Sequence, residues 1–223
     1  MTFWRSAMAI TWKDILTELR TKEIVFTVVV FAVLVIVIFN FAFGTTREAL
    51  SLVGPGILWV TFAFSGVLSL SRAFIPEKES GCLEALMAAP ISREAIYVGK
   101  MLGSLLSMAA IEVIALPVFA LLFNLRVFSL PLLLTTLLAT VGFVAVGTLF
   151  SALAVSTRAR EMVLPILFLP VVVPVVIAAV KASALALAGE PWAEILGWLR
   201  IIAAFDAIFL VVSYLVFGYL IEE

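Results

Sequence analysis

The sequence predicts an all-α polytopic membrane protein: six transmembrane helices, an N-terminal interfacial amphipathic helix and a short helix in the longest polar connection. Three observations predict it. Hydrophobic residues make up 65% of the 223 and charged ones 13%, against roughly 25% charged in soluble domains. The charges are segregated: the apolar stretches 24–43, 52–70, 101–123, 131–155, 162–180 and 201–220 contain only Glu112 and Asp206. The 14 basic residues also fall unequally on alternate connections, which orients the chain. The whole of 1–223 reads as one membrane domain.

The same composition excludes other classes. A soluble enzyme does not fit. A transmembrane β-barrel would show alternating ten-residue segments, and a nucleic-acid-binding domain would need a basic surplus that a net charge of −1 lacks. The chain has no His, so imidazole catalysis and His-ligated metal or haem are ruled out within it. One Cys allows neither an intrachain disulfide nor a Cys-x-x-Cys site. No G-x-x-x-x-G-K-[ST] loop occurs, so the chain does not hydrolyse ATP by its own P-loop.

Residues 1–23 come first. Trp4, Met8, Trp12, Ile15, Leu16 and Leu19 follow a 3.6-residue period with Lys13, Asp14, Thr17 and Glu18 outside the apolar arc and Arg5 as a blemish within it. That pattern predicts a helix over 3–22 lying along the membrane surface, the other reading being the wet start of the first span. The first apolar run lacks an A-x-A exit and is expected to remain as an anchor. At ~1.5 Å per residue, 20 residues cross the ~30 Å hydrocarbon core, so each run crosses once. Asn124, Arg126, Ser129 and Pro131 supply the turn between the third and fourth. Ten basic residues (Arg5, Lys13, Arg20, Lys22, Arg72, Lys78, Arg93, Lys100, Arg158, Arg160) lie on one side and four (Arg47, Arg126, Lys181, Arg200) on the other. Both termini are therefore expected in the cytoplasm.

The connection 71–100, cytoplasmic by the same rule, contains a possible short helix between Pro76 and Pro90 with Leu83, Leu86 and Met87 on one face. A docked partner or lipid headgroups would cover that face. Ser92 fits the N-cap of the helix that continues into the third span. Gly99, Gly103 and Ser107, and likewise Gly147 and Ser151, recur every four residues and predict close helix packing, within the chain or between subunits. In the fifth span Pro170 and Pro174 predict a kink or break, facing protein or a water-filled route.

Glu112, near mid-membrane, and Asp206, nearer the outer end of its helix, are candidate functional residues because buried carboxylates are expensive. Their spacing does not require them to meet. Each is either a proton-relay or substrate contact, or a neutral acid hydrogen-bonded to a neighbouring helix.

PGILWV at Pro55–Val60, the segment Glu77–Lys100 with Gly81, Leu83, Glu84, Leu86, Pro90 and Lys100, and LPILFLPVVVPVVI at Leu164–Ile177 together carry a resemblance. Over nearly its whole length the chain resembles the haem exporter protein B family, permease subunits of the cytochrome c maturation system related to ABC-2-type permeases. The middle segment is shared with many ABC-2 permeases, and the other two favour the haem branch. The resemblance implies a permease domain of the bacterial inner membrane, not an enzyme, in two copies, served by a separate ATP-binding-cassette ATPase that holds the ATP. It also implies a neighbouring haem-handling membrane protein, and no nucleic acid. Glu77, Gly81, Leu83, Glu84, Leu86, Met87 and Pro90 would form the coupling element. Some relatives have a His shortly after the Lys matching Lys100, where this chain has Gly103 and Ser104, so no haem-ligand role is carried over. The chain is expected to bind no cofactor of its own, with haem as a possible substrate of the complex. A permease for another lipid or drug is the nearest alternative; an intramembrane lipid phosphotransferase and a passive scaffold are further ones.

Overall fold

The computed structural model describes residues 3–21, 23–43, 47–79, 81, 91–125, 127–156 and 164–220. These form helices α1 (Phe3–Thr21), α2 (Glu23–Phe43), α3 (Arg47–Ser71), α4 (Ile75–Glu79), α5 (Arg93–Phe123), α6 (Leu130–Ser156), a π-helical turn (Leu164–Phe168), α7 (Leu169–Ala188) and α8 (Trp192–Leu220). There is no strand among the described residues. Six of these helices are long and apolar enough to cross a membrane: α2, α3, α5, α6, α7 with the π turn, and α8. The chain is thus an all-α, multi-pass membrane protein.

The bundle has two ends. At one, the basal end, α1 lies against the first turns of α5, beside the end of α3, α4 and the last turns of α6 and α8. At the other lie the turns after α5 and α7. Asn124 ends α5 in a left-handed conformation at φ 51°, and Gly189 ends α7 at φ 79°, where a residue without a side chain is least strained. Ser92 caps α5 from an extended conformation without a side-chain hydrogen bond; its carbonyl accepts from the Ala95 N–H at 3.0 Å.

α6 is the hub. It packs on α3, α5, α7 and α8, and with α3 it is the most buried span, whereas α2 is the least buried and lies at the periphery. Close approach depends on missing side chains. A methyl at Gly99 would lie 2.8 Å from the Ala7 carbonyl oxygen, and one at Gly103 would lie 3.3 Å from the Asp14 side chain, so that seam seats α1 on α5. Gly147 faces Leu70, and Ser151 donates a hydrogen bond to the Leu70 carbonyl, so the second seam joins α6 to α3. Gly99, Gly103, Gly147 and Ser151 thus all meet other helices of this chain, and Ser107 is half-buried.

The proline-rich span changes helical type at Phe168–Leu169, immediately before Pro170, while Pro174 lies inside α7. A π turn followed by proline near a helix start removes the clash that proline causes in a continuous helix. α7 and α8 also run past the hydrophobic stretches 162–180 and 201–220, to Ala188 and from Trp192. Backbone hydrogen bonding does not stop where the hydrocarbon does. Leu83, Glu84, Leu86, Met87 and Pro90, with the rest of 82–90, lie outside the described residues.

Candidate functional site

α1 turns two faces to different surroundings. Ser6, Ala7, Ile10 and Thr11 are buried, and the Thr11 hydroxyl bonds to the Gly99 carbonyl at 3.0 Å. Trp4, Met8, Trp12 and Leu19 are 67, 58, 61 and 61% exposed. The apolar stripe therefore points away from the protein, as expected of a helix whose second partner is a membrane surface.

Where α1 passes α5, four charges meet: Lys13 and Asp14 from α1, Glu77 from α4 and Lys100 from α5. Lys100 is 2% and Glu77 5% exposed. The Lys100 ammonium donates to Glu77 Oε1 at 2.5 Å and to the Ala73 carbonyl at 2.9 Å, lies 3.2 Å from Asp14 Oδ2, and sits 5.1 Å from the centre of the Phe74 ring. Lys13 donates to Glu77 and pairs with Asp14 at 3.0 Å. Among the described residues, two cations and two anions meet here. Burial opposes the charge on Glu77, but Lys100 together with Lys13 outweighs it and holds that carboxyl below its ordinary 4.5. Burial works against the Lys13 ammonium too; Glu77 and Asp14 overcome it, leaving the group above its ordinary 10.5. Lys100 and Glu77 are the buried members, and removing either costs roughly 3–5 kcal/mol.

Around this cluster lies a basal core of Ile10, Phe74, Ile96, Tyr97, Leu149 and Phe217. The Tyr97 hydroxyl donates to the Ala145 carbonyl at 3.0 Å, and Arg93 donates to the Gly218 carbonyl at 3.0 Å, tying α5 to α6 and α8.

The two carboxylates within the spans are not brought together. Glu112 on α5 accepts a hydrogen bond from Thr140 on α6. Asp206 on α8 lies against Gly142, and neither of its oxygens has a hydrogen-bond partner among the described residues. Thr140 and Gly142 are two residues apart, about 3 Å along the axis and about 200° around it. The carboxylates thus flank α6 from nearly opposite sides at one depth. Also buried is the bond from Trp59 Nε1, within PGILWV, to Ser183 Oγ at 2.9 Å, which joins α3 to α7.

Glu77 is the member of the expected coupling set whose surroundings are described; Gly81 is exposed and adopts φ 69°. The roles of Lys13, Asp14 and Thr140 were not legible in sequence. Lys13 and Asp14 read as the wet side of α1, and only the position of Lys100 beside Gly99, at the edge of an apolar run, hinted at burial. Among the described residues no group of three or more His, Cys, Asp or Glu is placed to hold a metal ion.

Compared with known proteins, residues 5–222 match the family model described as CcmB protein. The chain belongs to the CcmB protein family. This CcmB-family chain is 31% identical over 182 residues to heme exporter protein B of Bradyrhizobium diazoefficiens, covering 81% of this chain and 82% of that one. It is also 31% identical over 186 residues to heme exporter protein B of Pseudomonas aeruginosa, covering 83% of each. With heme exporter protein B of Rhodobacter capsulatus it shares 34% over 148 residues, 66% of this chain and 68% of the relative. The family match takes in α1 from Arg5 onward, the four charges of the basal cluster and all six spans.

Proposed function

We propose that this chain is the membrane permease subunit of a haem exporter serving cytochrome c maturation, energised by a separate ATP-binding-cassette ATPase. The observation that carries this is the CcmB family match over residues 5–222. The relatives described above are heme exporters, which disfavours a permease for another lipid or drug.

The basal end faces the cytoplasm, as the ten-to-four division of basic residues requires, and the membrane is the bacterial inner membrane. α1 rests at the cytoplasmic headgroup level with its tryptophans in the interface. The connection between α4 and α5 receives the ATPase on the apolar side chains Leu83, Leu86 and Met87, with Glu77, Gly81, Glu84 and Pro90 shaping it. Two copies form the permease. Since this chain lacks His, iron ligation falls to a haem-handling membrane partner, and this subunit offers apolar helix surface. The pair Glu112–Thr140 and the carboxyl of Asp206 brace α6 from two sides, the first as a neutral acid bonded to a neighbouring helix.

A pull-down in mild detergent tests the docking. Replacing Leu83 and Leu86 with Asp should release the ATPase while the permease stays in the membrane at its normal level. Undiminished recovery of ATPase would refute the assignment.

A further inference from the structure

A buried ion pair is weak evidence for stability, because apolar residues of similar volume often do as well. What it does provide is a unique register. Lys100 is a single cation held by three chain segments: Asp14 of α1, the Ala73 carbonyl just after α3, and Glu77 of α4. The Phe74 ring lies beside it, and Lys100 is buried. α4 ends at Glu79, directly before the connection that continues to α5. If that connection is pulled, Glu77 must either leave Lys100, breaking the most buried contact of the cluster, or carry α5 with it. On α1, Asp14 contacts Lys100 and Lys13 contacts Glu77, so α1 follows as well. The glycine contact at Gly99 makes the α1–α5 interface stiff. Close-packed interiors transmit a shift rather than absorb it.

We propose that Lys100 and Glu77, closed by Lys13 and Asp14, form a latch that carries movement of the 80–92 connection into α5 and α1. They are positioning residues for energy coupling, and the reading rests on that connection being the ATPase dock. α1 then moves with its apolar stripe in the headgroup layer while α5 tilts, and the force reaches Glu112 and α6 along one rigid helix.

The chain's one cysteine, Cys82, lies five residues beyond Glu77 and reports on the latch without reference to the ATPase. In inverted vesicles holding the full complex, Lys100→Met should raise the rate of Cys82 labelling by a maleimide about tenfold, as expected when a local contact opens. Glu77→Gln should act in the same direction, and Lys100→Arg should label near the wild-type rate. The second readout is coupling: cytochrome c formed in cells set against ATP hydrolysed by the purified complex. For Lys100→Met this ratio should fall at least about tenfold with the ATPase still bound, whereas a merely structural loss lowers both quantities together. Unchanged Cys82 labelling overturns the latch. Faster labelling with an unchanged ratio overturns its role in coupling. Absence of an ATPase from the wild-type complex instead refutes the docking assignment, and the labelling comparison still decides whether Lys100 holds the connection.

Discussion

Among single residues, the charges that stand out in the sequence are Glu112 and Asp206, and their surroundings in the fold differ. Glu112 has a donor in Thr140, while Asp206 has a glycine notch and no hydrogen-bond partner among the described residues. Valine matches threonine in shape but lacks the hydroxyl, so Thr140→Val should leave Glu112 without its donor. The expected loss is roughly 1–3 kcal/mol of stability, read as a lower unfolding midpoint in nanodiscs. Glu112→Gln keeps an acceptor for Thr140 and should remain close to wild type. The outliers were legible because charge in hydrocarbon is rare. Their partners were not, because a threonine or glycine in an apolar helix carries no mark of the helix it will face. Lys100 is the opposite case: counted by sequence as a water-side charge, it is 2% exposed.

At the level of elements, the four-residue spacing of small side chains marked helix surfaces for close approach without saying which helices. Gly99 and Gly103 face α1, and Gly147 faces Leu70 of α3. A methyl at Gly99 would meet backbone rather than a flexible side-chain end, so Gly99→Ala should cost about 1–3 kcal/mol by overpacking. It should also loosen α1, seen as faster tryptic cleavage at Arg20. Gly56→Ala and Gly197→Ala meet nothing within 4 Å and should be neutral or slightly stabilising, since alanine is the better helix former. The amphipathic period of α1 was likewise readable, and it identified the stripe now seen exposed at Trp4, Met8, Trp12 and Leu19. That the polar flank of the same helix would be a protein contact was not readable. Periodicity divides a helix into faces and does not distinguish water from a neighbouring salt bridge.

For the whole molecule, the ends of the bundle carry the asymmetry. Trp4 and Trp12 lie on the basal helix and Trp192 and Trp198 on the opposite end of α8, the arrangement of two aromatic belts about a hydrocarbon band. The proposed orientation, basal end in the cytoplasm, predicts that a cysteine replacing the exposed Glu190 reacts with an impermeant maleimide added to sealed cells, and that Cys82 does not. Labelling of Cys82 from outside would mean that the chain is inserted the other way round. Gly99, Gly103, Gly147 and Ser151 face helices of the same chain, so substitutions there act on the fold of one subunit.

Composition and charge placement alone determined the number of spans and the amphipathic first helix, and the prolines marked the span whose helical type changes at Phe168–Leu169, since each follows from local transfer free energy or backbone sterics within a single segment. Only the tertiary structure decided that α6 stands at the centre, that Glu112 and Asp206 flank it at one depth, and that Lys13, Asp14, Glu77 and Lys100 meet. These depend on which helices lie side by side. In hydrocarbon, apolar surfaces of six helices are nearly interchangeable to one another, and the choice among them is made by shape and by the few polar groups that must find partners.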